Sequence, residues 1–313
     1  MAALTAVELL WWVIAWSVGV APLPFVATYL ALAMSALAAA LALRLALRPR
    51  ARLAPWPALL AGVVVVGLGA SLFLPLKYAI PSEVPFWLDL PLAGAERGLF
   101  GTDPWQLLDR MLGPALVPVD RFYALWLPVQ SLGLFLVMVQ PPSPAKSRAL
   151  VAYSLAWFVL GVVAAVLFSS AGPLFFDRLF GGARFALLGP TLAERGAWIV
   201  LAESDAMWNS LASGKPGLVA GISAFPSIHV AISLWLFLVA RALAPRAAPF
   251  AGAYFLFVWI ASVQLGWHYV ADGLGGAVGM LALWWLAAPL ERALAERMAA
   301  RRVESSSLPA TEP

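Results

Sequence analysis

Long apolar blocks separated by short basic segments dominate the chain. Residues 9–43 carry no charge, and further apolar runs lie near 56–76, 122–140, 149–168, 225–243, 248–266 and 270–289. Each later run is near the length, about 20 residues, at which a helix crosses the hydrocarbon core of a bilayer. The first block is too long for one ordinary span, and Pro22 and Pro24 interrupt it. The pattern predicts an interfacial segment carrying Trp11, Trp12 and Trp16, then a span over 22–43. A tight hairpin of two spans is the alternative. The fold class that follows is all-α: a polytopic membrane helix bundle of seven spans, or eight with the hairpin.

Composition agrees with this pattern. The chain has 313 residues, 63% hydrophobic and 12% charged, with a mean hydropathy of +0.88. A soluble domain carries about 25% charged residues. No cysteine is present, which excludes disulfides, thiolate metal sites and cysteine nucleophiles. The net charge of +4 reflects loop bias and points to no nucleic-acid partner. Segments 44–54, 141–148, 241–247 and the residues after 290 hold twelve of the 20 basic residues. By the positive-inside rule that end is cytoplasmic. An Ala-, Arg- and Pro-rich composition suits a GC-rich bacterial genome, and the expected location is multi-pass in a bacterial inner membrane. No basic residue precedes the first apolar block, so no cleaved signal peptide is expected.

The opposite end holds two long loops, 77–121 and 169–224, with ten of the sixteen acidic residues. Half-apolar stretches within them, Trp105 to Leu112 and Leu192 to Leu201, are expected to form short amphipathic helices over the bundle. Loops of this length between spans are more often functional than connective. Val303 to Pro313 is polar and is expected to be a disordered tail.

Only two histidines occur, His229 and His268, and both fall at this loop-rich end. His268 and Asp272 are spaced i, i+4, which stacks them on one helical face. A carboxylate at Nδ1 fixes the imidazole tautomer and leaves Nε2 as a nucleophile or base. An Asp inside an apolar run needs a partner, and Gly273, Gly275 and Gly276 after it suit close helix packing. In Gly221 to Ala231, a polar loop turns into an apolar run. Pro226 suits a first helical turn there, and the helix N-terminus with the Ser227 hydroxyl makes an anion site beside His229. Two histidines, a carboxylate and a helix N-terminus allow phosphoryl transfer without metal or cofactor. His268 would attack phosphorus and His229 would protonate the leaving oxygen. A proton-coupled transporter or channel, with Asp272 and the histidines as a relay, is the alternative; axial haem ligation is a third reading.

These residues resemble the type 2 phosphatidic acid phosphatase superfamily. Pro226-Ser227-Ile228-His229 matches its Pro-Ser-Gly-His motif, with Ile for Gly, and His268-Tyr269-Val270-Ala271-Asp272 matches the end of a later one. The resemblance implies His268 as nucleophile, Asp272 as its orienting carboxylate, His229 as general acid and Ser227 near the phosphate. It also implies a six-helix core within 55–290, after an N-terminal unit 1–54 and before a basic helix end and tail, 291–313. The implied partners are a lipid or lipid-linked phosphate and the bilayer, with no obligatory protein partner. Two motif elements are missing. The Arg six residues before the nucleophile is Ser262, and the position of the Lys/Arg-Pro motif holds Ser169-Ser170-Ala171-Gly172-Pro173. Lys77 followed by Val84-Pro85 is half a match, one outer loop too early, and is read as chance. Arg178, Arg184 and Lys215 in the second long loop are the expected phosphate-binding cations. The Phe-Pro-Ser-Ile-His-Val-Ala and His-Tyr-Val-Ala-Asp stretches look most like the inositolphosphotransferase branch, whose members hand a phospho-headgroup from one lipid to another.

Overall fold

The computed structural model describes residues 26–215 and 221–307. The expected interfacial segment with Trp11, Trp12 and Trp16, and the choice between one span and a hairpin, lie outside them. Among the described residues all regular structure is helical. Every apolar run within them forms a helix. Helices α1 (Val26–Leu47) and α2 (Trp56–Glu83) come first. Then α3 (Asp89–Phe100), α4 (Pro104–Leu112) and α5 (Leu116–Ala124) form within the first long loop. Helix α6 (Trp126–Met138) leads to α7 (Pro144–Leu167), whose middle turns, Ala156–Ala164, are widened to π-helix. The second long loop folds as α8 (Pro173–Phe180), α9 (Leu188–Glu194) and α10 (Trp198–Ser213). Helices α11 (Ile228–Leu243), α12 (Ala248–Gln264), α13 (Val270–Leu286) and α14 (Ala288–Ser307) complete the chain.

Five of these helices, α13 running on into α14 as one of them, are long and apolar enough to cross a membrane alone; α4–α5 with α6, bent by 43°, makes a sixth. Helix α11 is a shorter apolar helix of 16 residues. The molecule is therefore an all-α polytopic membrane bundle. Its outward surface carries large apolar side chains such as Leu32, Val64, Leu256, Val278 and Trp285. In lipid such a surface is solvated, and helices satisfy their own backbone groups.

Helix α11 is the axis of the bundle. It packs against α6, α7, α12 and α13, and Val230, Ala231, Ile232, Ser233 and Trp235 on it are fully buried. Trp235 donates its indole N–H to the Ala149 carbonyl of α7 at 2.8 Å, which satisfies the one polar atom of the largest side chain in the core. Helix α13 crosses close to the start of α11, because Gly276 faces the Ser227 carbonyl with no room for a Cβ. A methyl group there would force the helices apart, at about 1–3 kcal/mol. By contrast α1 lies at the edge, packed on α2 and α6 with Ala33, Leu37 and Ala40 as its buried stripe.

Three helix limits differ from the sequence expectation. The stretch Leu192 to Leu201, expected as one short helix, is broken, because α9 ends at Glu194 and α10 starts at Trp198 after the left-handed Gly196. Helix α2 continues past 76, through Pro75 and Pro81, to Glu83. Lys77 is therefore part of this helix and not of a loop. Helix α14 extends to Ser307, into the stretch expected to be a tail. The short helices of the long loops pack over one end of the bundle: α4 and α5 contact α12, α3 contacts α8, and α10 contacts α5. Both histidines lie at this end.

Candidate active site

Tyr269 is the N-cap of α13, and its backbone N–H bonds the Asp272 carboxylate at 2.9 Å. This first-turn bond fixes Asp272 Oδ2 at the mouth of the helix. The same oxygen lies 3.3 Å from Nδ1 of His268, so the i, i+4 pairing read from the sequence is present in space. His268 itself precedes the helix, with its backbone N–H bonded to the Ser262 carbonyl at 3.2 Å. Asp272 is fully buried and His268 is 5% exposed. An ionised carboxylate only accepts, so Nδ1 carries the proton and Nε2 presents its lone pair. That lone pair faces the Ser227 hydroxyl at 3.2 Å.

Ser227 is the N-cap of α11, and its Oγ accepts from the Val230 N–H at 3.3 Å. Its own N–H bonds the Asp272 carbonyl at 2.9 Å, which ties the starts of α11 and α13 together. The sequence placed Pro226 in the first turn; the helix starts at Ile228 instead, with Pro226 ahead of the cap after a cis peptide bond. The cap needs extended backbone to turn its side chain onto the N–H groups, and a hydroxyl performs that role where proline has no acceptor. Ile228 and His229 still head the helix, and their N–H groups have no intrahelical acceptor.

The His229 ring centroid is 5.8 Å from that of His268. One wall is aromatic: Trp126 at 4.2 Å and Tyr123 at 5.6 Å, with the Trp126 indole donating to the His229 carbonyl at 3.1 Å. Among the described residues, His229 Nδ1 and the Tyr123 hydroxyl have no hydrogen-bond partner. Nor does Asp272 Oδ1. A buried polar atom without a partner costs about 1–3 kcal/mol.

Three carboxylates not singled out in the sequence hold the surrounding loops. Asp89, fully buried at the start of α3, accepts from the N–H groups of Ala171 and Gly172 at 2.7 and 2.8 Å. It also accepts from the hydroxyls of Ser170 and Tyr269, at 3.3 and 3.1 Å. Glu96, two turns further along the same face, accepts from the Ala271 N–H at 2.9 Å, at the head of α13. Burial pushes the Asp89 carboxyl up to about 6 and the Glu96 carboxyl up to about 7, against the backbone bonds that pull them down. Asp120 caps α10 through the N–H groups of Ile199 and Val200. The available signal was the spacing of Asp89 and Glu96 in a half-apolar loop stretch, but nothing in it named the backbone groups they would reach.

Of the expected cations, two are engaged with aspartates and the third is exposed. Arg178 pairs with Asp205 at 2.7 Å on the surface. Arg184 bonds Asp103 at 2.9 Å and the Ala93 carbonyl. Lys215 is exposed, beyond the end of α10. Ser262 is fully buried and bonded to the Trp259 carbonyl at 2.7 Å, within the turn that supports His268. At Ser169 to Pro173, the N–H groups of Ala171 and Gly172 are taken by Asp89. Among the described residues no group of three or more His, Asp or Glu is arranged to share a metal ion.

The structure defines the class as far as an all-α membrane bundle with two histidines close together at one end. The family model described as the PAP2 superfamily matches residues 105–286, and the chain belongs to that superfamily. Comparison with curated proteins and with solved structures gives no match. The matched segment runs from α4 to the end of α13 and includes both histidines.

Proposed function

We propose that the protein transfers the phosphoryl-bearing group of a lipid phosphate ester through a phosphohistidine, at the end of the bundle that faces away from the cytoplasm. The observation that carries this reading is the placement of His268. Its Nδ1 faces Asp272, its Nε2 is turned toward Ser227, and the second histidine is 5.8 Å away between ring centroids. In the first step Nε2 forms a bond to phosphorus as the bond to the lipid oxygen breaks. His229 gives its proton to that oxygen, and Asp272 stabilises the positive imidazole. In the second step water or an alcohol attacks phosphorus, His229 takes its proton, and the N–P bond breaks. Serine O–H and nitrogen at 3.2 Å make a weak resting contact that a phosphate oxygen displaces. The N–H groups at the head of α11, with the helix dipole, face negative charge that develops on the phosphoryl oxygens.

The roles of His268, Asp272, His229 and Ser227 rest on this geometry together with family membership. The inositolphosphotransferase-like stretches favour an alcohol as second acceptor. A screen of lipid classes tests both levels, with wild type and His268→Ala side by side. Release of free phosphate defines a hydrolase, and passage of a labelled headgroup to a second lipid defines a transferase. Equal turnover by His268→Ala and wild type would remove the proposal.

A further inference from the structure

We infer that the turn between α1 and α2 binds the headgroup of an anionic phospholipid, at the end of the bundle opposite the histidines. This site stands apart from the phosphoryl-transfer reading and does not depend on it.

Four observations carry it. First, the turn gathers positive charge with no negative charge to match. Arg44, Arg48, Arg50 and Arg52 occur in it, and no acidic residue lies between them. Among the described residues none of the four has an ion pair, and the Nε of Arg44 is buried with no hydrogen-bond partner. Arg48 follows one turn after Arg44, its N–H bonded to the Arg44 carbonyl at 2.9 Å. The C-terminus of α1 accommodates cations, but like charges at this spacing repel unless an anion joins them. Second, the four arginines line one open hollow of about 700 Å³, closed on its far side by Pro141 from the turn after α6. That volume suits a small-molecule ligand. The Ala54 N–H bonds the Val139 carbonyl at 3.0 Å, which ties the two turns that wall it. Third, nearby basic residues are already committed. Lys146 Nζ bonds the Met138 and Gln140 carbonyls at 2.6 Å, and Arg148 bonds Glu291 at 2.9 Å and the Trp284 carbonyl at 3.0 Å. Fourth, Leu43, Leu47, Trp56 and Leu60, on the helix ends that flank the turn, are exposed. Apolar side chains and a tryptophan beside arginines match the boundary between acyl chain and headgroup.

Helix α6 separates this hollow from the histidines. Trp126 at its start packs on the His229 ring, and Val139 just past its end holds the arginine turn. Its thirteen residues rise roughly 20 Å. A phosphate in the hollow is therefore out of reach of His268, and the lipid held there is not turned over. Planar guanidinium groups grip a phosphodiester through paired N–H···O bonds. Four such cations favour a headgroup of net negative charge over a zwitterionic one.

The test counts lipids on the full-length protein by native mass spectrometry in a neutral detergent, titrated with phosphatidylglycerol or with phosphatidylcholine. Wild type holds phosphatidylglycerol about 10-fold more tightly than phosphatidylcholine. Arg44→Gln, Arg48→Gln, Arg50→Gln and Arg52→Gln together remove one bound phosphatidylglycerol. The affinity falls about fivefold for each arginine, the factor equivalent to about 1 kcal/mol per basic residue at an anionic leaflet. If the fourfold variant fails to fold or inserts inverted, Arg44→Gln with Arg48→Gln carries the test, with an expected loss of about 25-fold. The same losses appear in a His268→Ala background, because the lipid counted is not at the histidines. Glutamine variants that keep phosphatidylglycerol at wild-type affinity overturn the assignment, as does equal binding of both lipids by wild type. A loss seen only with His268 intact overturns it too. Glycerol 1-phosphate binding as tightly as the lipid also overturns it, since the apolar rim would then contribute nothing.

Discussion

The two halves of the histidine site are built differently. Around His268 nearly every polar atom is committed: Nδ1 to Asp272, Nε2 to Ser227, and Asp272 Oδ2 to the Tyr269 N–H. Around His229, Nδ1 and the Tyr123 hydroxyl have no partner among the described residues, and the ring is held by packing on Trp126 and Tyr123. A nucleophile benefits from a fixed tautomer and direction, which hydrogen bonds supply. A group that must give and regain a proton benefits from a free nitrogen in a dry pocket. Under the proposed mechanism, the contrast separates an orienting half from a half that exchanges the proton.

The largest expected effect breaks the committed half. His268→Ala is expected to abolish lipid-phosphate turnover in a purified-protein assay while the protein still folds. Next, His229→Ala should lower turnover about 10²- to 10⁴-fold, the range of general acid–base catalysis. The loss should be smaller for an aryl phosphate whose leaving oxygen needs no proton, and an equal loss for both substrates would show that His229 does not act as the acid.

Smaller effects concern the carboxylates that hold the loops. Asp89→Ala leaves the N–H groups of Ala171 and Gly172 and two hydroxyls without their acceptor. It should destabilise the protein by about 3–5 kcal/mol, as for loss of one partner of a buried charged network. Thermal melting in detergent measures this, and Asp89→Asn should recover part of it.

The smallest effect is in pH. The Glu96 carboxyl is raised from 4.5 to about 7 by burial, with Asp272 and Asp103 nearby raising it further and the N–H groups of Ala271 and Val270 opposing. The folded state then holds a proton that the unfolded chain has released. Stability contributed by this group is complete below about pH 4.5 and is lost as pH rises toward about 7. The magnitude is about 3 kcal/mol at most. Glu96→Gln should flatten the fall in melting temperature across that window, and an unchanged slope would remove Glu96 as its source.

Much of this was legible in the sequence because membrane solvent imposes strong rules. Apolar runs of spanning length can only be helices, and six of the expected spans within 56–289 fall on observed helices. The His268–Asp272 pairing was expected from i, i+4 spacing on one helix face. The contact is present, but His268 stands before the N-cap Tyr269 and Asp272 reaches back to it from the first turn. The approach of His229 to His268 was expected from both lying at one end. The limits of α2 were misjudged at Lys77, because a charge and two prolines read as a loop while the helix runs on to Glu83. Prolines are tolerated in such helices when neighbouring groups satisfy the freed carbonyls.

Local pattern therefore determined the all-α membrane bundle, the places of its helices and the identity of the two histidines with their aspartate. These depend on interactions within a few residues and on a solvent that forbids unpaired backbone. Tertiary packing decided the rest. Asp89 reaches residues 171 and 172, Glu96 reaches 271, and Gly221 brings the loop before His229 against Lys77. Such contacts join residues far apart in the chain, and their partners are backbone groups or an aliphatic stem, which no sequence motif marks.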